Sequence, residues 1–147
     1  MKFIFSYEKL LHHKKTLEDI ARREYLLAQQ AVDVANRDIA EMYRSIDEAR
    51  SLSARRVAEL GSASSGAMAD EFIRGQNTRI ERRRAELRQL MMEVEAKHQV
   101  LVEAAKEKKT LEKLKDRSFK LFLRARKKQE LKEVDEIVTT RFKRGEA

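Results

Sequence analysis

Not one proline occurs in the 147 residues, and the small, flexible residues concentrate in one stretch, Gly61-Ser62-Ala63-Ser64-Ser65-Gly66. Proline lacks a backbone N–H and clashes with the preceding helical turn, so its absence leaves both flanks free to run as unkinked helices. Those flanks are rich in Ala, Leu, Glu, Lys and Arg, which cost least in a helix. Glycine supplies backbone angles that other residues avoid, and serine can cap the helix that follows. The pattern predicts one helix over about 7–60, a turn at 61–66 and a second helix over about 67–142. The expected fold is all-α: a long antiparallel two-helix coiled-coil hairpin forming a single domain over residues 1–147.

A reversal decides which residues face each other. For a turn centred near position 64, facing residues have numbers summing to about 128. That pairs Leu17 with Leu111, Leu27 with Leu101, Val34 with Val94, Ile46 with Ile80 and Met42 with Leu87. The second arm carries a strict seven-residue repeat, Ile73, Ile80, Leu87, Val94 and Leu101, with Leu90, Ala104 and Leu111 at the intermediate positions a coiled-coil seam requires. On the first arm the expected seam is Leu10, Leu17, Ile20, Leu27, Ala31 and Val34. It slips near Asp38 and resumes at Ile39, Met42, Ile46 and Ala49, as a four-residue insertion would make it do.

Composition favours a rod over a ball. Charged residues make up 39%, aromatics 6%, and tryptophan is absent, so little is available to fill a three-dimensional core. At 1.5 Å per residue, about fifty residues per arm give a rod of roughly 75–80 Å. Without cysteine there is no disulfide framework, thiol nucleophile or thiolate metal site, which suits a cytoplasmic setting. The start, MKFIFSYEKLL, lacks the apolar stretch and cleavage site of a signal peptide, and no window approaches a membrane span.

The net charge of +8 is unevenly placed. Residues 1–66 carry 11 basic and 10 acidic groups, residues 67–105 carry 7 and 7, and residues 129–147 carry 4 and 5. Residues 106–128 carry 11 and 3, so the excess lies between Lys106 and Lys128 and seeks an acidic partner. By the facing rule Arg124 to Phe142 has no partner arm, and a lone amphipathic helix of that length usually awaits one.

Catalysis finds little support in the residues. His12 and His13 are neighbours and point to different helix faces, so they cannot form a two-histidine metal face, and His98 reads as a polar residue at a seam edge. Neither phosphate-cradling glycine motif occurs. The expectation is no enzyme, no cofactor and no metal. In SFKLFLRARKK, Phe119, Leu121 and Phe122 come level with Phe3 to Leu10 and are expected to plug the open end of the hairpin. The alternative is a basic amphipathic patch for an anionic membrane surface or nucleic acid. Near the turn, Met42, Tyr43, Ile46 and Phe72 form the other candidate group: the two aromatics either cover their seam neighbours or anchor a partner.

The ends of the chain resemble the FliJ family of flagellar type III export proteins. The resemblance rests on the aromatic start before EKLLHHKKTLEDIARRE, on TLEKLKDR, and on RARKKQELKEVDEIVTTRF. There Gln129, Leu131, Asp135, Glu136, Arg141 and Phe142 fit the family's ending, whereas the apolar run KLFL departs from its usual pattern. The resemblance implies a stalk-like antiparallel coiled coil, similar to the central stalk of rotary ATPases. Such a protein docks in the flagellar export ATPase hexamer and contacts the cytoplasmic domain of the membrane export gate and export chaperones. Under it, Arg124, Arg126, Lys127, Lys128, Gln129, Asp135, Glu136, Arg141 and Phe142 serve the ATPase side. Met42, Tyr43, Ile46 and Phe72 serve the gate side. The protein is expected to be a cytoplasmic monomer, peripheral at the inner face of the cell membrane, with no nucleic-acid partner.

Overall fold

The computed structural model describes residues 2–61 and 63–146, and the side chains of all of these but Ala63, Ser65 and Glu146. Two helices make up the fold: α1, Glu8–Leu60, of 53 residues, and α2, Ala63–Glu146, of 84. They pack against each other, with no strand among the described residues, so the protein is an all-α hairpin.

The reversal is tighter than the sequence reading expects. Gly61 takes φ 62°, and its N–H donates to the Val57 carbonyl at 2.9 Å. This is the left-handed cap that satisfies an orphan carbonyl and that glycine adopts without a Cβ clash. One such residue already turns the chain, so α2 begins at Ala63, and Gly66 and Gly75 lie within it. Ser62, part of the expected turn, is outside the described residues. At the other end α2 runs past Phe142 to Glu146, with Lys143 and Arg144 placing positive charge beside the terminal carbonyls. α1 starts after a turn in which the Glu8 N–H donates to the Phe5 carbonyl at 3.2 Å and the Leu11 N–H to that of Tyr7 at 2.9 Å. Tyr7 therefore stands immediately before the first helical residue, and Glu8 faces the positive helix end.

The chain divides into two compact units, Ile20–Leu101 around the turn, and Met1–Asp19 with Val102–Ala147 around the termini. In the turn unit, α2 packs through Ile73, Ile80 and Leu87, the repeat the sequence shows, and Ile80 is 2% exposed. Facing it are Ile39, Met42 and Ile46. The expected slip near Asp38 does not occur. Burial on α1 follows two unbroken heptad rows, Tyr25, Val32, Ile39, Ile46 and Ala21, Ala28, Ala35, Met42, Ala49. Ile20, Leu27 and Val34 are on the surface, Leu27 at 59% and Val34 at 43% exposed, so the contacts of Leu27 with Leu101 and Val34 with Val94 are not made through a shared seam.

The physical reason lies in α2. Its repeat is continuous, so it defines a groove of constant pitch, and a slip in α1 alone would carry α1 out of that groove. The shorter turn also moves the facing rule. Tyr25 meets His98 with ring centroids 5.3 Å apart, and Asp38 meets Arg83 at 2.8 Å. The numbers in such pairs add to about 121–126 rather than 128, as a turn centred near Gly61 requires.

In the terminal unit the seam is polar. Leu11 and Phe5 are buried, but so is Glu18, at 4% exposure, with its carboxylate 2.6 Å from the Lys108 ammonium. Lys14 pairs with Glu107 at 2.8 Å and Lys115 with Glu8 at 2.8 Å. Leu10 and Leu17, expected in the seam, are exposed. The seam closes on a cluster of rings: Phe3 lies 5.2 Å from Phe119 and 5.5 Å from Phe122, and Phe5 lies 5.9 Å from Tyr7. This is the aromatic plug anticipated from the sequence, although Leu121 stays outside it.

Two stability predictions follow from the register. Ile80→Ala is expected to cost roughly 2–4 kcal/mol by cavity formation, and Leu27→Ala to stay within about 0.5 kcal/mol. Urea titrations followed by circular dichroism measure both, and the reverse order would restore the slipped seam. Lys108→Met, which strips buried Glu18 of its ammonium, is expected to cost about 1–3 kcal/mol. Lys14→Met removes a half-exposed pair and should cost under about 1 kcal/mol. Equal losses in the same titration would mean that the buried pair has no special weight.

Candidate docking surfaces

α2 is longer than α1, and its excess lies at the C-terminal end. From Leu123 to Gly145 every side chain is exposed. The segment holds Arg124, Arg126, Lys127, Lys128, Gln129, Asp135, Glu136, Arg141 and Phe142, all the residues expected on the ATPase side. Only Arg126 among them forms an ion pair between described residues, with Glu130 at 3.3 Å one helical turn on. An exposed pair of this kind contributes little to stability. The helix there rests on local propensity alone, which leaves it marginal in water.

Sequence reasoning placed Phe142 on the ATPase side and Leu131 in the family-like ending, but missed Val134, Ile137 and Val138, which complete an apolar stripe with them. Leu131, Val134, Ile137, Val138 and Phe142 are each more than half exposed and share a face at helical spacing. Running the α2 seam forward from Phe122 shows why they escaped notice. The seam positions become Gln129, Glu136 and Lys143, so the apolar stripe lies off the seam.

The group expected on the gate side splits in two. Ile46 is a core residue and Met42 packs on it, so both support the seam rather than the surface. Tyr43 and Phe72 are exposed. Arg84 donates from Nη2 to the Tyr43 hydroxyl and holds its guanidinium 5.6 Å from the ring centroid. That fixes the ring against α2 by a hydrogen bond and a cation–π contact. Phe72 has no ring partner among the described residues.

Beside them Arg83 bridges the helices, 2.8 Å from Asp38 on α1 and 2.6 Å from Glu86 on α2. The Glu86 hydrogen bond, and after it Asp38, raises the Arg83 pKa above the ordinary arginine value against the opposing desolvation. Its charge is therefore constant across the physiological range. A shallow groove beside it is lined by Asp38, Glu41, Met42, Ser45, Gln76 and Arg79.

His12 and His13 are exposed, and the His98 ring lies tilted at 45° against that of Tyr25. Among the described residues no cluster of His, Asp and Glu has a metal-holding arrangement, and no helix is long and apolar enough to cross a membrane. What the surface offers is docking area: a charged and apolar extension in one unit and two aromatics in the other.

The search of curated proteins returned no match, and neither did the search of solved structures. One family model, described as flagellar FliJ protein, matches residues 2–147, which is essentially the whole chain. A hairpin of two long helices and a match of that extent lead to one assignment: the chain belongs to the flagellar FliJ family.

Proposed function

We propose that this chain is a non-enzymatic component of the flagellar protein-export apparatus. It is a stalk-like coiled coil that docks in the export ATPase hexamer and links it to the cytoplasmic domain of the membrane export gate and to export chaperones. Family membership supports a role related to flagellar export. The observation that carries the finer reading is the extension of α2, exposed on all sides from Leu123 to Gly145. A helix of that length without tertiary contacts is marginal in water, so its regular amphipathic character is best explained by a surface that it meets elsewhere. The cationic stretch from Lys106 to Lys128 steers it toward an acidic lining. In this reading the chain works as a monomer, peripheral at the inner face of the membrane, and needs no cofactor.

Deleting residues 124–147 tests the ATPase contact. The truncated chain should keep the hairpin's circular dichroism signal in proportion to its length and lose about tenfold or more in affinity for the purified ATPase hexamer. Undiminished binding would place the ATPase site elsewhere on the hairpin.

Division of labour gives a second test. Phe72→Ala should weaken binding to the export gate's cytoplasmic domain and spare the ATPase. Reversing Arg124, Arg126, Lys127 and Lys128 to Glu should do the opposite. Only the contact built on cations should weaken strongly between low and moderate salt. A variant that lost both partners equally with helicity intact would rule out two separate docking sites.

A further inference from the structure

The heptad frame of α2 separates two faces in the terminal unit. Lys108, Leu111, Lys115, Ser118 and Phe122 are half-buried, whereas Lys113, Arg117, Lys120, Arg124 and Lys127 are exposed. These five alternate at spacings of four and three residues, which keeps them in one row on the side of α2 turned away from α1. None of the five forms an ion pair among the described residues. The same spacing carries the row on into Leu131, Val134 and Val138, each more than half exposed. The seam positions, run forward instead, read Gln129, Lys132, Glu136, Thr139 and Lys143. A helix prolonging the path of α1 would meet no hydrocarbon there. A helix on the outer face would meet a line of cations and then a line of apolar side chains.

We propose that this outer face, and not the continuation of the seam, is the docking surface of the extension. Its occupant is a protein helix with carboxylates opposite Lys113 to Lys127 and apolar residues opposite Leu131 to Val138. The order of charge selects that partner class. Beside the apolar stretch stand Glu130, Glu133 and Asp135, and beyond it come Arg141 and Arg144. A phospholipid surface or a nucleic-acid backbone presents one sign of charge and is repelled by the middle block. A protein helix can oppose each block with its complement, which favours the right partner and rejects others. From Lys113 to Val138 the face spans about 38 Å, the reach of one partner helix of roughly 25 residues. Identifying that helix with part of the export ATPase rests on the function proposed above; the choice of face does not.

The full-length chain is titrated with a synthetic helical peptide bearing a row of Glu followed by a stripe of Leu. Vesicles containing anionic phospholipid, duplex DNA and the purified ATPase hexamer are separate probes. One triple variant replaces Lys113, Lys120 and Lys127 by Glu, and another replaces Leu131, Val134 and Val138 by Gln. A third, on the seam side, replaces Lys132, Thr139 and Lys143 by Ala. Circular dichroism checks that each stays helical. Each outer-face variant should weaken peptide binding by about tenfold or more, and the seam-side variant by less than about twofold.

Equal loss from both faces, no binding of the peptide by the unaltered chain, or tighter binding to vesicles or DNA than to the peptide would overturn the proposal. So would a dimer in sedimentation that the Leu131 variant abolishes, since the occupant would then be a second copy. If the unaltered chain ignores the ATPase but binds the peptide through the outer face, the functional reading fails and the docking chemistry stands. If it binds the ATPase and both outer-face variants bind equally well, the face is wrong and the functional reading stands.

Discussion

The seven-residue repeat of α2 is the constraint on which the rest of the structure depends. Ile73, Ile80 and Leu87 recur without interruption, so α2 presents one straight seam and α1 has to follow it. The cost is visible on α1. The seam takes Ala21, Ala28 and Ala35 and leaves Ile20, Leu27 and Val34 on the surface. Burying the larger set would gain more hydrocarbon area per residue but would break register with Ile39, Met42 and Ile46. Continuity of the supercoil outweighs the local gain.

The terminal unit is held by different means. Its seam carries Lys14, Glu18, Lys108 and Lys115, paired across the helices, with Leu11 and the phenylalanine cluster as its apolar anchors. Charge pairs add little net stability, because desolvation offsets most of their attraction, but they are specific about register. A one-turn shift would place Lys108 and Lys115 against the wrong neighbours. The seam there acts as a register lock closed by rings, and it leaves the outer face of α2 free of any structural duty.

Much of this was legible in the sequence. The missing proline, the Gly61 break and the α2 repeat were sufficient for the hairpin, and the alignment of Phe3 with Phe119 and Phe122 was sufficient for the plug. The register of α1 was not legible. Leu10, Leu17, Ile20, Leu27 and Val34 carry larger aliphatic side chains than the alanine-rich row that is buried, and a search for large apolar residues at heptad spacing ranks them first. The position of the turn would have decided it, but serine and alanine are acceptable both in a loop and in the first turn of a helix. The basic excess was read correctly as belonging to one segment. Its arrangement as a single row running into Leu131 and Val138 follows from carrying the α2 repeat on past Leu111, a step the sequence already allows.

Family membership supports a role related to flagellar export, and the exposed extension is the feature on which the proposed docking rests. The claim at the centre is that the helix beyond Phe122 has no partner within the free molecule and gains one on docking. Amide hydrogen exchange of the full-length chain, alone and with the purified ATPase hexamer, tests it most directly. In the free chain the amides from Leu123 to Gly145 should exchange far faster than those around Ile80, because they open without breaking a seam. On mixing with the hexamer, protection should rise across the extension and stay unchanged around Ile80. Seam-like protection of the extension in the free chain, or no gain on mixing, would contradict the account.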